Sequence, residues 1–184
     1  MTDKVKYTVD EFDQFISLPE NRDRSFELIN GEIIEEMPTF MHGLIIHLLM
    51  FAIGKYFEKH PIGWVVPEVR FQLPNESDYA FIPDLAVVLR AEGRKPIKKG
   101  ATPYMPDLAI EVQSPDQSER ELITKAEDYL KRGSKMVWNV YPEKEAVEVF
   151  TASGHQLLTR GQMLDGGDVL PDFTIPVENI FLAE

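Results

Sequence analysis

Cysteine is absent from the 184 residues, which excludes thiolate catalysis, disulfides and cysteine-ligated zinc. A charged-then-apolar leader is also missing. Met1 to Lys6 is polar and runs into a helix signal, so no signal peptide is expected. The longest apolar run, Leu44 to Ile53, is interrupted by His47 and lies between Gly43 and Gly54. It is too short to span a bilayer as read, and the expectation is a cytoplasmic protein with no membrane partner. There is no glycine-rich phosphate loop and no Gly-x-Ser-x-Gly elbow. His42 and His47 are five apart, which is not the spacing of a zinc-binding helix; they read as core or helix-terminus histidines. Basic residues are in deficit: the formal net charge is −12. That weighs against non-specific binding to nucleic acid or anionic membrane. One local exception exists in the loop from Arg90 to Tyr104, where Arg90, Arg94, Lys95, Lys98 and Lys99 face a single acid, Glu92.

What is present fits an ordinary globular chain, 43% hydrophobic and 27% charged. At this length one domain over 1–184 is the simplest reading, since no repeat or linker composition divides it. Thr8-Val9-Asp10-Glu11 matches a capping box and opens a short helix closed by Pro19. Asn30-Gly31 sits between two apolar runs, the pattern of a hairpin with a type I′ turn. Phe40 to His60 is apolar almost all round and predicts a buried helix. Strands are expected over Trp64 to Leu73, with Pro67 marking an edge or bulge, and over Phe81 to Leu89 and Asp107 to Gln113. Ser118-Glu119-Arg120-Glu121 is a second capping box, opening a helix that ends at Gly133. Met136 to Tyr141 and Ala146 to Phe150 read as strands joined by a turn. Gly154 and Gly161 punctuate one more hairpin, and the segment with Gly166, Gly167, Pro171 and Pro176 reads as an irregular tail. The fold class is α+β.

Two of these strands each present one carboxylate that alternation places on a common side. Alternation sends Leu108, Ile110 and Val112 to one face of their strand and Asp107, Ala109, Glu111 and Gln113 to the other. Asp84 opens the preceding strand, on the face of Ala86 and Val88. If the two strands pair, Asp84 and Glu111 converge, and two carboxylates on neighbouring strands suit a hard divalent cation and an activated water. The plainer alternative is that each acid ends its strand at the surface, as most acids do. Leu122, Ile123, Ala126, Tyr129 and Leu130 form one helical stripe with Lys125 on its flank. From there a lysine can bury its stem and reach across the sheet, although a flank lysine is usually solvated. The basic loop joins the two acid-bearing strands and is expected beside the site, as a grip on phosphates or as a solvated connection.

Pro83-Asp84, a spacer, then Glu111-Val112-Gln113 resembles the PD-(D/E)XK nuclease signature with its final lysine replaced by glutamine. Over roughly residues 7 to 150 the chain is similar to the Uma-two family of restriction-type endonucleases. The pieces that carry the likeness are Phe26 to Glu32, His42, Pro83 to Val88, Asp107 to Pro115, Lys125 with Tyr129, and the Trp138 strand. The resemblance implies a restriction-endonuclease-like core, a mixed central sheet flanked by helices with an N-terminal hairpin. It implies Asp84 and Glu111 as ligands of Mg (or Mn), the Val112 carbonyl as a further ligand, and DNA or another phosphodiester as substrate. The water-handling role falls to Lys125, or to Gln113 itself. Nucleases that cut both strands often work as dimers, so a homodimer is among the expectations. Two other classes are set against the nuclease. One is an inactive nuclease-fold module used for interaction or regulation, motivated by Gln113 and the acidic charge. The other is a structural dimer built through exposed strands such as Ala146 to Phe150.

Overall fold

The computed structural model describes residues 6–90 and 94–181. Residues 91–93, with Glu92 of the basic loop, and the polar start Met1 to Val5 lie outside the described residues. The chain divides into two compact units. The first comprises Met1–Met37, Arg70–Ile82 and Ile97–Tyr104, and the second Pro38–Val69, Pro83–Pro96 and Met105–Glu184.

In the first unit, helix α1 (Val9–Ser17) begins at Thr8, whose hydroxyl and the Glu11 carboxylate form the expected reciprocal cap. Strands β1 (Ser25–Ile29) and β2 (Glu32–Glu36) pair antiparallel around Asn30 and Gly31. Both turn residues have positive φ, 49° and 75°, as the Asn-Gly pair predicts. Phe12 on α1 and Phe26, Leu28 and Ala80 form this unit's core with Val9. Glu27 is buried, and its carboxylate accepts from the Ile82 amide.

The second unit is built on a six-stranded mixed sheet. In spatial and chain order its strands are β3 (Gly63–Pro67), β4 (Leu85–Leu89), β5 (Leu108–Val112), β6 (Met136–Tyr141), β7 (Ala146–Thr151) and β8 (Gly154–Leu158). Only β5 and β6 are parallel; they are joined through helix α3 (Glu119–Lys131). A parallel pair needs such a crossover, whereas the tight turns elsewhere give antiparallel neighbours. Gly63 allows β3 to approach β4, since a Cβ there would stand 2.8 Å from the Val88 carbonyl oxygen. Leu85, Val87, Leu108, Ile110, Val112, Trp138 and Val140 point to one face, where they pack with Ile45, Leu49 and Ile53 of helix α2 (Phe40–Lys59). The other face carries Ala86, Ala109, Glu111 and Asn139, and α3 covers it.

Four expectations are corrected. The helix α2 buries one stripe, His42, Ile45, Leu49 and Ile53, and leaves Phe40 87% and Phe51 56% exposed. Its apolar composition is therefore wider than its packed face. By length and composition it could cross a membrane, but that stripe is spent on the sheet. The strand expected over Trp64 to Leu73 stops at Pro67, where proline removes a ladder donor and Glu68 turns to positive φ. The segment after Gly154 is not one more hairpin and an irregular tail. Strand β8 pairs with β7, while β9 (Met163–Gly166) and β10 (Leu170–Pro176) form a separate antiparallel pair. Leu164, Leu170, Phe173 and Ile175 place that pair in the core; its glycines and prolines masked the apolar alternation. Finally, β7 is hydrogen-bonded on both sides, to β6 and β8, so Ala146 to Phe150 offers no exposed strand edge for a dimer.

Candidate active site

The β4–β5 register fixes the acids. Leu85 pairs with Ile110 and Ala86 with Ala109. Continuing one residue outward sets Asp84 against Glu111 on the α3 face of the sheet. Both are buried, at 7% and 2% exposure, so neither is the surface strand-end acid of the plainer alternative. A carboxylate taken from water is costly unless it is hydrogen-bonded and paired, and each of these is. Asp84 accepts from the Val112 amide at 2.7 Å through Oδ2, and its Oδ1 lies 3.2 Å from Nε2 of His42. Glu111 accepts from Lys125 Nζ at 2.8 Å through Oε2 and from the Tyr129 hydroxyl at 2.7 Å through Oε1.

Local sequence explains each placement. Ser118 and Glu121 close a reciprocal cap that starts α3 at a defined residue. From that start Lys125 and Tyr129, four apart, fall on one helix face. Lys125 is only 5% exposed; its stem is buried and its ammonium meets Glu111. Thr39 caps α2 by accepting from the His42 amide, which places that imidazole in the first turn, against Asp84. Gln113 is turned elsewhere: its amide donates to the Gln117 carbonyl at 2.8 Å and ties down the loop before α3.

The sequence groups Asp84, Glu111, Gln113 and Lys125; the structure brings Asp84, Glu111 and Lys125 to one place and ties the Gln113 amide to Gln117. The sequence gives Tyr129 no task beyond the helical stripe and reads His42 as a core or helix-terminus histidine. The signal for Tyr129 was its i, i+4 spacing from Lys125. For His42 it was the helix-capping threonine three residues before it.

The basic loop is the clearest correction. In an antiparallel pair the connection joins the ends opposite to the outer termini. Asp84 at the start of β4 and Glu111 at the end of β5 therefore lie together, and the loop leaves from the other end. Asp107, at that other end, holds the loop's root: it accepts from the Leu89 amide and pairs with Arg94 and Lys135. Arg90 stands over the Trp64 ring, 5.0 Å from its centroid. The four residue steps from Asp107 to Glu111 set the loop's root about 13 Å from the carboxylates. Lys95, Lys98 and Lys99 are exposed.

The same sheet face continues in polar residues across two further strands. Glu111 is the register partner of Asn139 on β6, which is the partner of Glu148 on β7. Glu148 accepts from the Tyr141 hydroxyl at 2.8 Å and lies 2.6 Å from the His155 ring. Burial, and then the Glu148 carboxylate, push the Tyr141 hydroxyl far above its ordinary pKa, with Asn139 acting weakly in the other direction.

As a ligand set, two buried carboxylates on adjacent strands offer hard oxygen donors. Among the described residues no group of three or more His, Asp or Glu is gathered as a cage. That composition suits a magnesium-type ion, which keeps several waters and takes only one or two protein carboxylates.

Comparison with known proteins agrees with this architecture. A crystal structure from Anabaena variabilis, described as "a putative nuclease belonging to DUF820", is similar in fold with a TM-score of 0.79. It is 23% identical, and the match covers 95% of this chain and 97% of that one. No curated protein matches the chain. The Uma2 family, described as "Putative restriction endonuclease", matches residues 10–178. The chain that carries Asp84, Glu111 and Lys125 on this fold belongs to the Uma2 family.

Proposed function

We propose that the chain is a metal-dependent endonuclease that hydrolyses phosphodiester bonds in DNA. What supports this reading is one observation above the rest: a lysine supplied by α3, 5% exposed, bonded to Glu111. It occupies the role left open by Gln113 in the strand. Asp84 and Glu111 would hold a Mg or Mn ion with the Val112 carbonyl. Such an ion supplies Lewis acidity and a water of lowered pKa.

The chain's own residues do the rest. Lys125 orients the attacking water and offsets the charge that builds on the phosphoryl oxygens. Tyr129 keeps one Glu111 oxygen aimed, and His42 does the same for Asp84, because an aimed carboxylate loses less freedom at the moment of reaction. Gln113, with its amide given to Gln117, holds the loop that starts α3 and acts on the water only by leaving that bond. Cutting both strands of a duplex would draw on two copies of the chain.

The test is cleavage of supercoiled plasmid with Mg and with Mn, using wild type, Asp84→Ala and Glu111→Gln. Cleavage is expected to need the ion and to fall at least about 100-fold in either variant. Cutting that survives Asp84→Ala overturns the assignment.

One observation favours a second reading. Both oxygens of each carboxylate already have protein partners, as in an inactive nuclease-fold module serving as an interaction or regulatory protein. In that case neither ion binds and no variant alters cleavage.

A further inference from the structure

Glycine is a poor helix former, yet helix α2 carries Gly43 and Gly54 in its interior. Packing within the chain asks for neither. A Cβ built at each position meets no atom within 4 Å among the described residues. Each glycine follows a phenylalanine by three residues, and the pairs Phe40-Gly43 and Phe51-Gly54 are eleven residues apart. Eleven residues are close to three helical turns, so both pairs lie on one face. At about 100° per residue that face is opposite the stripe of Ile45, Leu49 and Ile53 packed in the core.

The spacing is self-complementary. Phe40 and Gly54 stand seven residues either side of His47, and Gly43 and Phe51 stand four. Two copies of α2 laid antiparallel with His47 at the crossing therefore set Phe40 against the partner's Gly54 and Phe51 against the partner's Gly43. Each large ring meets the one position where the opposing helix has no side chain, and a shallow crossing keeps both ends in contact. Charge points to the same occupant. The chain as a whole is at −12, which repels a second copy, but from Met37 to Gly54 it has no Asp, Glu, Lys or Arg. The Phe51 ring is held in advance, stacked on His47 at 6.4 Å and with Lys55 Nζ 4.3 Å from its centroid. A side chain already held loses less freedom on docking.

We infer that the outer face of α2 is a dimer interface, in which α2 packs antiparallel on α2 of a second copy about a two-fold axis at His47. Phe40 and Phe51, 87% and 56% exposed, are rings of the kind that bury about 150–250 Å² each. With Met41 and Leu44 beside them, about 500 Å² per copy is covered, or about 1,000 Å² in the pair. That is the lower bound of a specific interface, so the dimer is reversible, with a Kd in the micromolar range. The pairing is isologous and closes at two copies; copies that meet out of register, ring against ring, leave apolar surface to which further chains add. The inference does not use the nuclease reading. Where both hold, the pairing joins two Asp84 sites, because His42 at the start of the same helix lies against Asp84.

The experiment is sedimentation velocity on the full chain over a concentration series, with Phe51→Ser and Gly54→Gln beside wild type. Wild type is expected to pass from monomer to dimer, and each variant to raise Kd at least about tenfold. Gly54→Gln is expected to do so while its thermal midpoint holds or rises, since glutamine is the better helix former and its Cβ has room. Register is read separately. The chain has no cysteine, so His47→Cys places the sole thiol at the axis and is expected to form a covalent dimer under mild oxidation. Lys59→Cys, at the far end of the same helix, is expected to stay single, because antiparallel copies hold their ends apart. A wild type that remains monomeric at several hundred micromolar, a dimer indifferent to both variants, or equal cross-linking at the two cysteine positions overturns the inference. So does a monomer that floats with phosphatidylcholine vesicles and loses that binding in Phe51→Ser, which would give the face to lipid. None of these results bears on ion-dependent cleavage by Asp84 and Glu111.

Discussion

At the scale of single residues, Glu111 accepts from Lys125 and from Tyr129, and the loss of the ammonium should register in stability and activity together. Lys125→Met removes from buried Glu111 the ammonium that donates to its Oε2. Removing one partner of a buried ion pair costs about 3–5 kcal/mol, so a large drop in urea-denaturation midpoint is expected, together with loss of ion-dependent cleavage. A stable, active Lys125→Met protein would remove lysine from the mechanism. Tyr141 gives a second residue-level test, through pH. Its folded-state pKa is raised, by burial first and Glu148 next. The protonated phenol is thus favoured in the fold. The stability it contributes is complete below the unfolded value of about 10 and is lost as pH rises above it. Tyr141→Phe is expected to flatten the alkaline fall of the unfolding midpoint. At neutral pH it should cost about 1–3 kcal/mol, because Glu148 loses a buried donor. Unfolding curves recorded from pH 7 to 11 on both proteins decide it.

At the scale of elements, the site is a matter of registration. The start of α3 is set by Ser118 and Glu121, and everything Lys125 and Tyr129 reach depends on that start. Ser118→Ala is expected to cost about 1 kcal/mol by urea denaturation and to lower cleavage more than Mn affinity. Much at this scale could be read from the sequence. Both capping boxes, the Asn-Gly turn and the alternation of Leu108 to Val112 are local signals, and the structure follows them. The placement of the basic loop was not readable that way. Its distance from the acids depends on β4 and β5 being antiparallel, a pairing that no local pattern states. The same holds for β9 and β10: glycines and prolines read locally as an irregular tail, while Phe173 and Ile175 are committed to a core assembled from distant strands. The partner of Lys125 could be suggested from its flank position but not fixed, since that requires knowing which strand lies beneath.

At the scale of the whole molecule, charge governs the encounter with a polyanion. With a net charge of −12, the average surface repels phosphate, and the exposed Lys95, Lys98 and Lys99 form a local cationic exception. The loop's root lies about 13 Å from the carboxylates, close to four base steps of a duplex at about 3.4 Å each. Replacing the three lysines by glutamine takes the net charge from −12 to −15 by subtracting three. DNA affinity is expected to fall, with the salt slope of log K reduced by about 0.9 for each phosphate contact removed. The cleavage rate at saturating DNA is expected to hold, because none of the three touches the acids. Filter binding over a salt series measures the first and single-turnover cleavage the second; an unchanged slope would return the loop to a solvated connection.

The two free margins of the six-stranded sheet are both blunted. Pro67 ends β3, and β8 carries the exposed polar residues His155 and Gln156 after a glycine start. Proline and polar side chains on a margin discourage strand-to-strand addition between molecules. Among the described residues, helix α2 leaves Phe40, Met41 and Phe51 to solvent. Concentrated stocks of this protein should thus lose material through helix-mediated clumping that a mild detergent reverses, and not through fibres that bind amyloid dyes.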